Sequence, residues 1–173
     1  MTLTDPQKLT LKNFILGDVT LNAFPNTEDG ADSIAKELNK IATPDFTVWR
    51  TDVPMGELID NIVVESLRAL PVAEGTALQT LVIAHDTNGL NVSVMSTRDV
   101  FLEASGNSAF FTGGQSSNPA TRTQLTTLFK RLALLIEQVF ADTTNGNGAD
   151  ATPAKLTFEG TISRQDVFAA RSS

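Results

Sequence analysis

The stretch NPATRTQLTTLFKRLALLIEQVFA, residues 118–141, carries the strongest secondary-structure signal in this sequence. Asn118 can cap a helix, and Pro119 fits its first turn. Apolar residues then recur three and four positions apart, which is the spacing of one face of an α-helix. We therefore predict a helix of about six turns and place it at the centre of the fold. The apolar stripe consists of Leu125, Leu128, Phe129, Leu132, Leu135, Ile136, Val139 and Phe140.

Shorter helices are predicted on the N-terminal side of this stretch. Thr4 and Gln7 have the spacing of a capping box, so a first helix begins there and ends at Gly17. A second helix follows the acidic sequence NTEDG, because apolar residues from Ala31 to Leu38 recur with helical spacing. Two more helices are expected at 55–70 and 76–85. Residues 90–117 are expected to form an irregular loop with short elements: a strand at LNVSVM, a helix at STRDVFLEAS capped by Ser96, and an exposed Gly- and Ser-rich loop at GNSAFFTGGQSSN.

The C-terminal part is predicted to differ in character. Residues 142–154 are rich in Gly, Asn, Asp and Thr, as is typical of a linker. LTFEGTI then alternates as a strand does, and SRQD begins a last short helix. The expected fold is mainly α, a bundle of about five helices around a long central helix, with a short β segment and an extended C-terminal arm. We expect a helical domain at 1–141 and an arm at 155–173 that packs on this domain or on a neighbouring subunit.

Composition narrows the chemistry. The net charge of −7 argues against sequence-specific nucleic acid as a direct partner. The absence of cysteine excludes disulfides, thiolate nucleophiles and zinc–thiolate sites, and there is one histidine, His85. No apolar run has the ~20 residues of a membrane span, and the first residues lack a signal-peptide core. We therefore expect a soluble, unexported protein with no membrane partner, no metal and no cofactor.

Catalytic motifs are missing from the sequence. GxSxG, HExxH, Walker A and GxGxxG do not occur, so we expect a protein that is not an enzyme. One alternative is a small hydrolase that uses paired carboxylates, which a glycosidase requires. Helix starts and turns explain the same acids. The candidates are Glu28, Asp29 and Asp32 in one cluster and Asp45, Asp52 and Glu57 in another.

Two aromatic segments are candidate interfaces. PDFTVWRTDVP, residues 44–54, holds the one tryptophan, Trp49, beside Arg50, and its two prolines favour an extended backbone. Trp and Arg are enriched at binding hot spots, so this segment either fills a core or anchors a partner. Phe110 and Phe111 lie in a Gly- and Ser-rich loop. They either tuck into the core or contact a neighbouring subunit.

Two blocks carry a family resemblance: PNTEDGADSIAKELNKIATPDFTVWRTDVP, residues 25–54, and PAKLTFEGTISRQDVFAARSS, residues 153–173. Together with KRLALLIEQVFA before the second block, they resemble a family of small proteins of tailed bacteriophages, usually encoded among the virion structural genes. The resemblance implies a non-enzymatic virion component that is assembled in the bacterial host cytoplasm. Its expected partners are copies of itself, in a ring, together with portal, tail or other virion proteins.

The place in the particle that we expect is the neck, where an adaptor ring joins the portal to the tail. A helical protein with an extended C-terminal segment suits that role. The strand containing Leu156, Phe158 and Ile162 can then pair with an edge of a neighbouring subunit. The alternatives are a capsid decoration protein and a tail-accessory structural protein.

Overall fold

The structure is a computed structural model that describes residues 3–60, 72, 75–76, 79, 89–98 and 127–172. Helices predominate in this part of the chain, so the predicted mainly α class is confirmed. Two small antiparallel sheets accompany them. The elements are α1 Asp5–Gly17, α2 Val19–Asn22, α3 Glu28–Leu38, β1 Thr47–Trp49, α4 Met55–Asp60, β2 Lys130–Leu132, α5 Leu135–Val139, β3 Ala141–Asp142, β4 Lys155–Leu156 and α6 Arg164–Ser172.

The chain divides into two compact units. Unit 1 consists of Met1–Val48 and Leu132–Ser173, and unit 2 is Trp49–Arg131. The expected linker at 142–154 and the expected arm at 155–173 both lie within unit 1. Within the described residues, none of the helices has the length and apolar content needed to span a membrane.

Local signals begin the three longest helices of unit 1. The Thr4 hydroxyl accepts from the backbone N–H of Gln7, and the Gln7 side chain accepts from the N–H of Thr4, which completes the predicted capping box of α1. Thr27 caps α3 by accepting from the N–H of Gly30 at 3.2 Å. Ser163 accepts from the N–H of Asp166 at the start of α6. These starts agree with the sequence, because a cap and the group it satisfies lie within one helical turn.

Helices α1, α3 and α6 pack together around the core of unit 1. Each buries one apolar face, and the face of α3 is the predicted one. Residues that precede β3 and residues that follow β4 in the sequence complete this core. The core therefore contains residues from near both ends of the chain. The buried residues are Leu3, Leu11, Ile15, Leu21, Ala31, Ile34, Ala35, Leu38, Ile136, Phe140, Phe158, Ile162, Val167 and Ala170.

The predicted continuous helix at 118–141 is wrong in its described part, although residues 127–128 are helical. Residues 118–126 lie outside the described residues, but Lys130–Leu132 form strand β2, and the only helix in residues 129–141 is the five-residue α5. The cause is that backbone N–H and C=O groups of residues 129–135 form hydrogen bonds with residues 40–50. An N–H that is donated to another segment cannot also pair with the carbonyl four residues before it. The bonds are Arg50 N to Phe129 O at 2.9 Å, Ala133 N to Phe46 O at 2.9 Å and Leu135 N to Lys40 O at 2.8 Å.

The predicted strand near the C-terminus is present but short. Only Lys155–Leu156 are extended, and they pair antiparallel with β3, with Ala141 opposite Leu156. The residues between β3 and β4 are packed against the same unit: Ala154 is fully buried, and its N–H donates to the carbonyl of Thr47 at 3.0 Å. This segment therefore has the contacts of a folded loop.

Candidate functional site

In unit 2, the Trp49–Arg50 pair lies at the centre of a network of charged groups. The Arg50 side chain, 18% exposed, donates to Glu57 at 2.8 Å and to Asp52 at 3.4 Å. It also reaches the carbonyl of Leu128 at 3.4 Å. Two carboxylates and a carbonyl thus surround one guanidinium, so Arg50 links three parts of unit 2.

Trp49 is half-buried and has a cation on its face. The guanidinium carbon of Arg98 lies 4.1 Å from the centroid of the indole ring, within the range of a cation–π interaction. Arg98 is fixed there because it also donates to the carbonyls of Val92 and Ser93 at 2.7 and 2.8 Å. The ring face nearest Arg98 is therefore occupied by a residue of the same chain.

Trp49 is not among the buried residues of segment 44–54. Phe46 and Val48 are buried in unit 1, and Val53 is buried in unit 2, where its backbone bridges to Leu90. The two prolines indicated an extended segment, but they did not indicate that Trp49 would be partly exposed. Arg98 had no sequence signal as a partner of Trp49, because the two residues lie far apart in the chain and no local pattern links them.

The C-terminal candidates Leu156, Phe158 and Ile162 are buried in unit 1 of their own chain. The Phe158 ring packs against Phe140 with centroids 5.2 Å apart. These side chains therefore contribute to the core of their own chain. The remaining candidates, Phe110 and Phe111, lie outside the described residues.

Three polar side chains that the sequence did not single out hold this C-terminal segment. The Asn39 carboxamide both donates to and accepts from the backbone of Ile162, at 2.9 and 2.8 Å. Glu137, 1% exposed, accepts from the N–H groups of Leu134 and Gly160, both at 2.9 Å. These contacts satisfy buried backbone groups where the chain is neither helix nor strand.

The third side chain is Arg171, near the end of α6. Its guanidinium donates to the carbonyl of Pro25 at 3.0 Å and to that of Phe24 at 3.1 Å, across 146 and 147 residues of sequence. Gly30 also lies close to the carbonyl of Pro25: a Cβ on this glycine would be 1.9 Å from the Pro25 oxygen. Residues of the first and last sequence blocks thus converge on one carbonyl group.

Most of the carboxylates considered for hydrolysis lie beside cations. Lys36 lies next to Asp32, whose hydrogen bond and charge raise the pKa of this exposed lysine. Among the described residues, no three metal-ligating side chains are grouped so that they could hold a metal ion. The ion pairs are Glu28 with Arg164 at 3.7 Å, Asp32 with Lys36 at 2.7 Å, Asp52 with Arg50 at 3.4 Å and Glu57 with Arg50 at 2.8 Å.

A cavity of about 160 Å³ lies beside α6 in unit 1. Glu28, Arg164 and Phe168 are among its lining residues, and Phe168 is partly exposed. The Glu28–Arg164 ion pair at its edge combines with an aromatic side chain, an arrangement that suits a protein contact as well as a small ligand.

No protein-family model, curated protein or solved structure matches this chain. The resemblance to phage virion proteins therefore rests on the sequence blocks themselves. The structure adds where the residues of these blocks lie relative to one another within unit 1.

Proposed function

We propose that this protein is a non-enzymatic structural component of a tailed-phage particle and acts as a neck adaptor, in a ring between portal and tail. The proposal starts from the resemblance of three sequence blocks to phage virion proteins. The observation that supports it is that residues of all three blocks meet in unit 1. Because residues of these blocks contact one another in the folded chain, the three resemblances concern one structural unit.

The carbonyl of Pro25 is where the first and last blocks are physically coupled. It accepts from Arg171, and the absence of a side chain at Gly30 leaves room for it. An alanine at position 30 or an uncharged residue at position 171 would remove one part of this arrangement. Gly30 and Arg171, which come from different blocks, therefore both depend on the position of this one carbonyl group.

The block before the C-terminal segment joins the same arrangement. Glu137 in α5 holds the N–H of Gly160, and Asn39 after α3 holds the backbone of Ile162. The backbone at Gly160 has a φ of 101°, a conformation that favours glycine. The motif residues therefore serve folding, and contacts with other subunits must use other surfaces.

Helix α1 offers such a surface. Leu9 and Leu16 are exposed, and their spacing of seven residues places them on the same side of the helix; the exposed Val19 of α2 follows. Exposed apolar side chains on one side of a helix are available for contact with another protein, and here Lys12 and Asn13 lie between the two leucines. In the proposed ring, this face would contact a neighbouring copy of the chain.

The decisive experiment is cryo-electron microscopy of purified particles of the virus that encodes the chain. The expected result is one ring of this protein at the junction of portal and tail. Quantitative mass spectrometry should give a copy number comparable to that of the portal protein. Density spread over the capsid surface, density at the distal tail or absence from the particle would each contradict the adaptor role.

A paired substitution tests the contact face separately. We expect the double variant Leu9→Ser, Leu16→Ser to keep the free energy of unfolding of the wild type, because both side chains are already exposed. We expect it to lose incorporation into particles. The matched control is Ile41→Ser, an exposed apolar-to-polar change outside α1 and α2. Normal incorporation of the double variant would exclude this face and leave the adaptor role to be judged by microscopy.

A further inference from the structure

We propose that Asn145 is a site of spontaneous deamidation, and that Asn147 is protected from the same reaction by the fold. Both asparagines precede a glycine in the loop between β3 and β4, whose sequence reads TTNGNGADATPA. The two sites are equivalent in sequence. The contacts of the folded loop distinguish them.

The reaction requires only the chain and water. The backbone nitrogen of the glycine attacks the carboxamide carbon of the asparagine, a new C–N bond closes a succinimide ring, and ammonia leaves. Water then adds to one of the two ring carbonyls and opens the ring to aspartate or isoaspartate. A following glycine favours the attack, because it has no side chain to hinder its nitrogen and its backbone rotates freely.

Asn145 is exposed and lies in a turn. Within the described part of the chain, its carboxamide has no hydrogen-bond partner, and the N–H of Gly146 makes no bond outside its own turn. The attacking nitrogen and the carbon it attacks can therefore approach each other without first breaking a side-chain contact or a hydrogen bond to another segment. The nearest anchor before this pair is Asp142, which accepts from the N–H of Thr144 at 2.9 Å.

At Asn147, both the side chain that would be attacked and the N–H of the attacking glycine form hydrogen bonds. The Asn147 side-chain oxygen accepts from the N–H of Ala149 at 3.1 Å and from the hydroxyl of Thr152. The N–H of Gly148, which would have to attack, donates to the carbonyl of Thr152 at 3.1 Å. Gly148 has a φ of 82° and lies against the ring of Phe46, where a Cβ would come within 2.1 Å. Reaction at Asn147 therefore requires local opening of the loop.

The fold also explains why the reactive pair contains glycine. A Cβ at Gly146 would lie 2.1 Å from the carbonyl oxygen of Pro153, so the close approach of these two backbones excludes a side chain. Deamidation at Asn145 adds a negative charge to a segment that already contains Asp142 and Asp150. Isoaspartate also lengthens the backbone between β3 and β4.

The test is peptide mapping of the full folded chain after prolonged incubation in mildly alkaline buffer. Trypsin releases residues 132–155 as one fragment, and electron-transfer fragmentation assigns the acid and its isomer to either position. We expect conversion at Asn145 to be at least about tenfold faster than at Asn147, which reacts only from the opened loop. The rate should rise with pH, because the attacking nitrogen must lose its proton.

Two controls separate the fold from the sequence. In concentrated urea, both asparagines should convert at similar rates, because the contacts of Asn147 are lost. Asn145→Gln should abolish conversion at position 145 in the folded chain and leave Asn147 slow. Equal rates at the two positions in the folded chain, or no conversion at Asn145, would overturn the proposal.

Discussion

Helix α3 and residues 129–139 have apolar residues at the same helical spacing, but they fold differently. Helix α3 runs for 11 residues without interruption, whereas 129–139 are divided between strand β2 and the short helix α5. The spacing of apolar residues therefore did not determine the backbone conformation. The difference lies in where the backbone N–H groups find their acceptors.

Helix α3 has its own local supports. Thr27 caps its first turn, and Glu28 and Asp29 place negative charge at its N-terminus. Its N–H groups pair inside the helix, so the apolar face only has to find a core. In 129–135 the backbone pairs with segment 40–50 instead. A pattern of side chains indicates which residues can be buried together, and tertiary pairing determines the secondary structure that achieves it.

The largest expected effect comes from a pair of truncations in residues 129–132. Phe129 is 1% exposed and Leu132 is 43% exposed, although in a continuous helix both would lie on one buried stripe. We expect Phe129→Ala to lower the free energy of unfolding by about 3–5 kcal/mol. We expect Leu132→Ala to lower it by less than about 1 kcal/mol. Denaturant titration measures both.

Similar large losses in the two variants would contradict the strand and favour the helix. In that case, the pairing of segment 40–50 with 129–135 would also be wrong, because the helix would use the same N–H groups. Circular dichroism of the variants would distinguish a change in helix content from a change in stability alone.

What the sequence revealed depended on distance along the chain. The starts of α1, α3 and α6 were readable, because the residues that begin a helix lie within one turn of each other. The partners of Asn39, Glu137 and Arg171 were not, because they lie up to 147 residues away and no local pattern encodes them. The same holds for the candidate sites: Trp49 was identified by residue type, and its partner Arg98 by the structure.

Helix α3 also depends on a tertiary contact, because Gly30 lies close to the carbonyl of Pro25. The comparison with residues 129–139 can therefore be tested at this position. Replacing a helical glycine with alanine usually stabilises a helix by about 0.5–1 kcal/mol. At Gly30, the added Cβ would lie 1.9 Å from the Pro25 oxygen. We therefore expect Gly30→Ala to destabilise unit 1 by about 1–3 kcal/mol, the usual cost of overpacking. Thermal unfolding measures the change.

Gly17 provides the matched control for this substitution. It ends α1 in the same unit, and a Cβ there would meet nothing within 4 Å. We expect Gly17→Ala to be neutral or to stabilise by up to about 1 kcal/mol. If both alanine variants were equally stable, the close approach of Gly30 to Pro25 would be wrong, and the coupling of the first and last sequence blocks would lose one of its contacts.

The smallest expected effect tests the cap that helix α5 lacks. Thr27 accepts from the N–H of Gly30, whereas the corresponding residue of α5 is Leu134, whose side chain cannot accept. We expect Thr27→Ala to lower the free energy of unfolding by about 1 kcal/mol. Thr27→Ser keeps the hydroxyl and should retain most of the wild-type stability. An alanine variant as stable as the serine variant would mean that burial alone maintains α3, and the local cap would no longer explain why α3 is a helix and 129–134 is not.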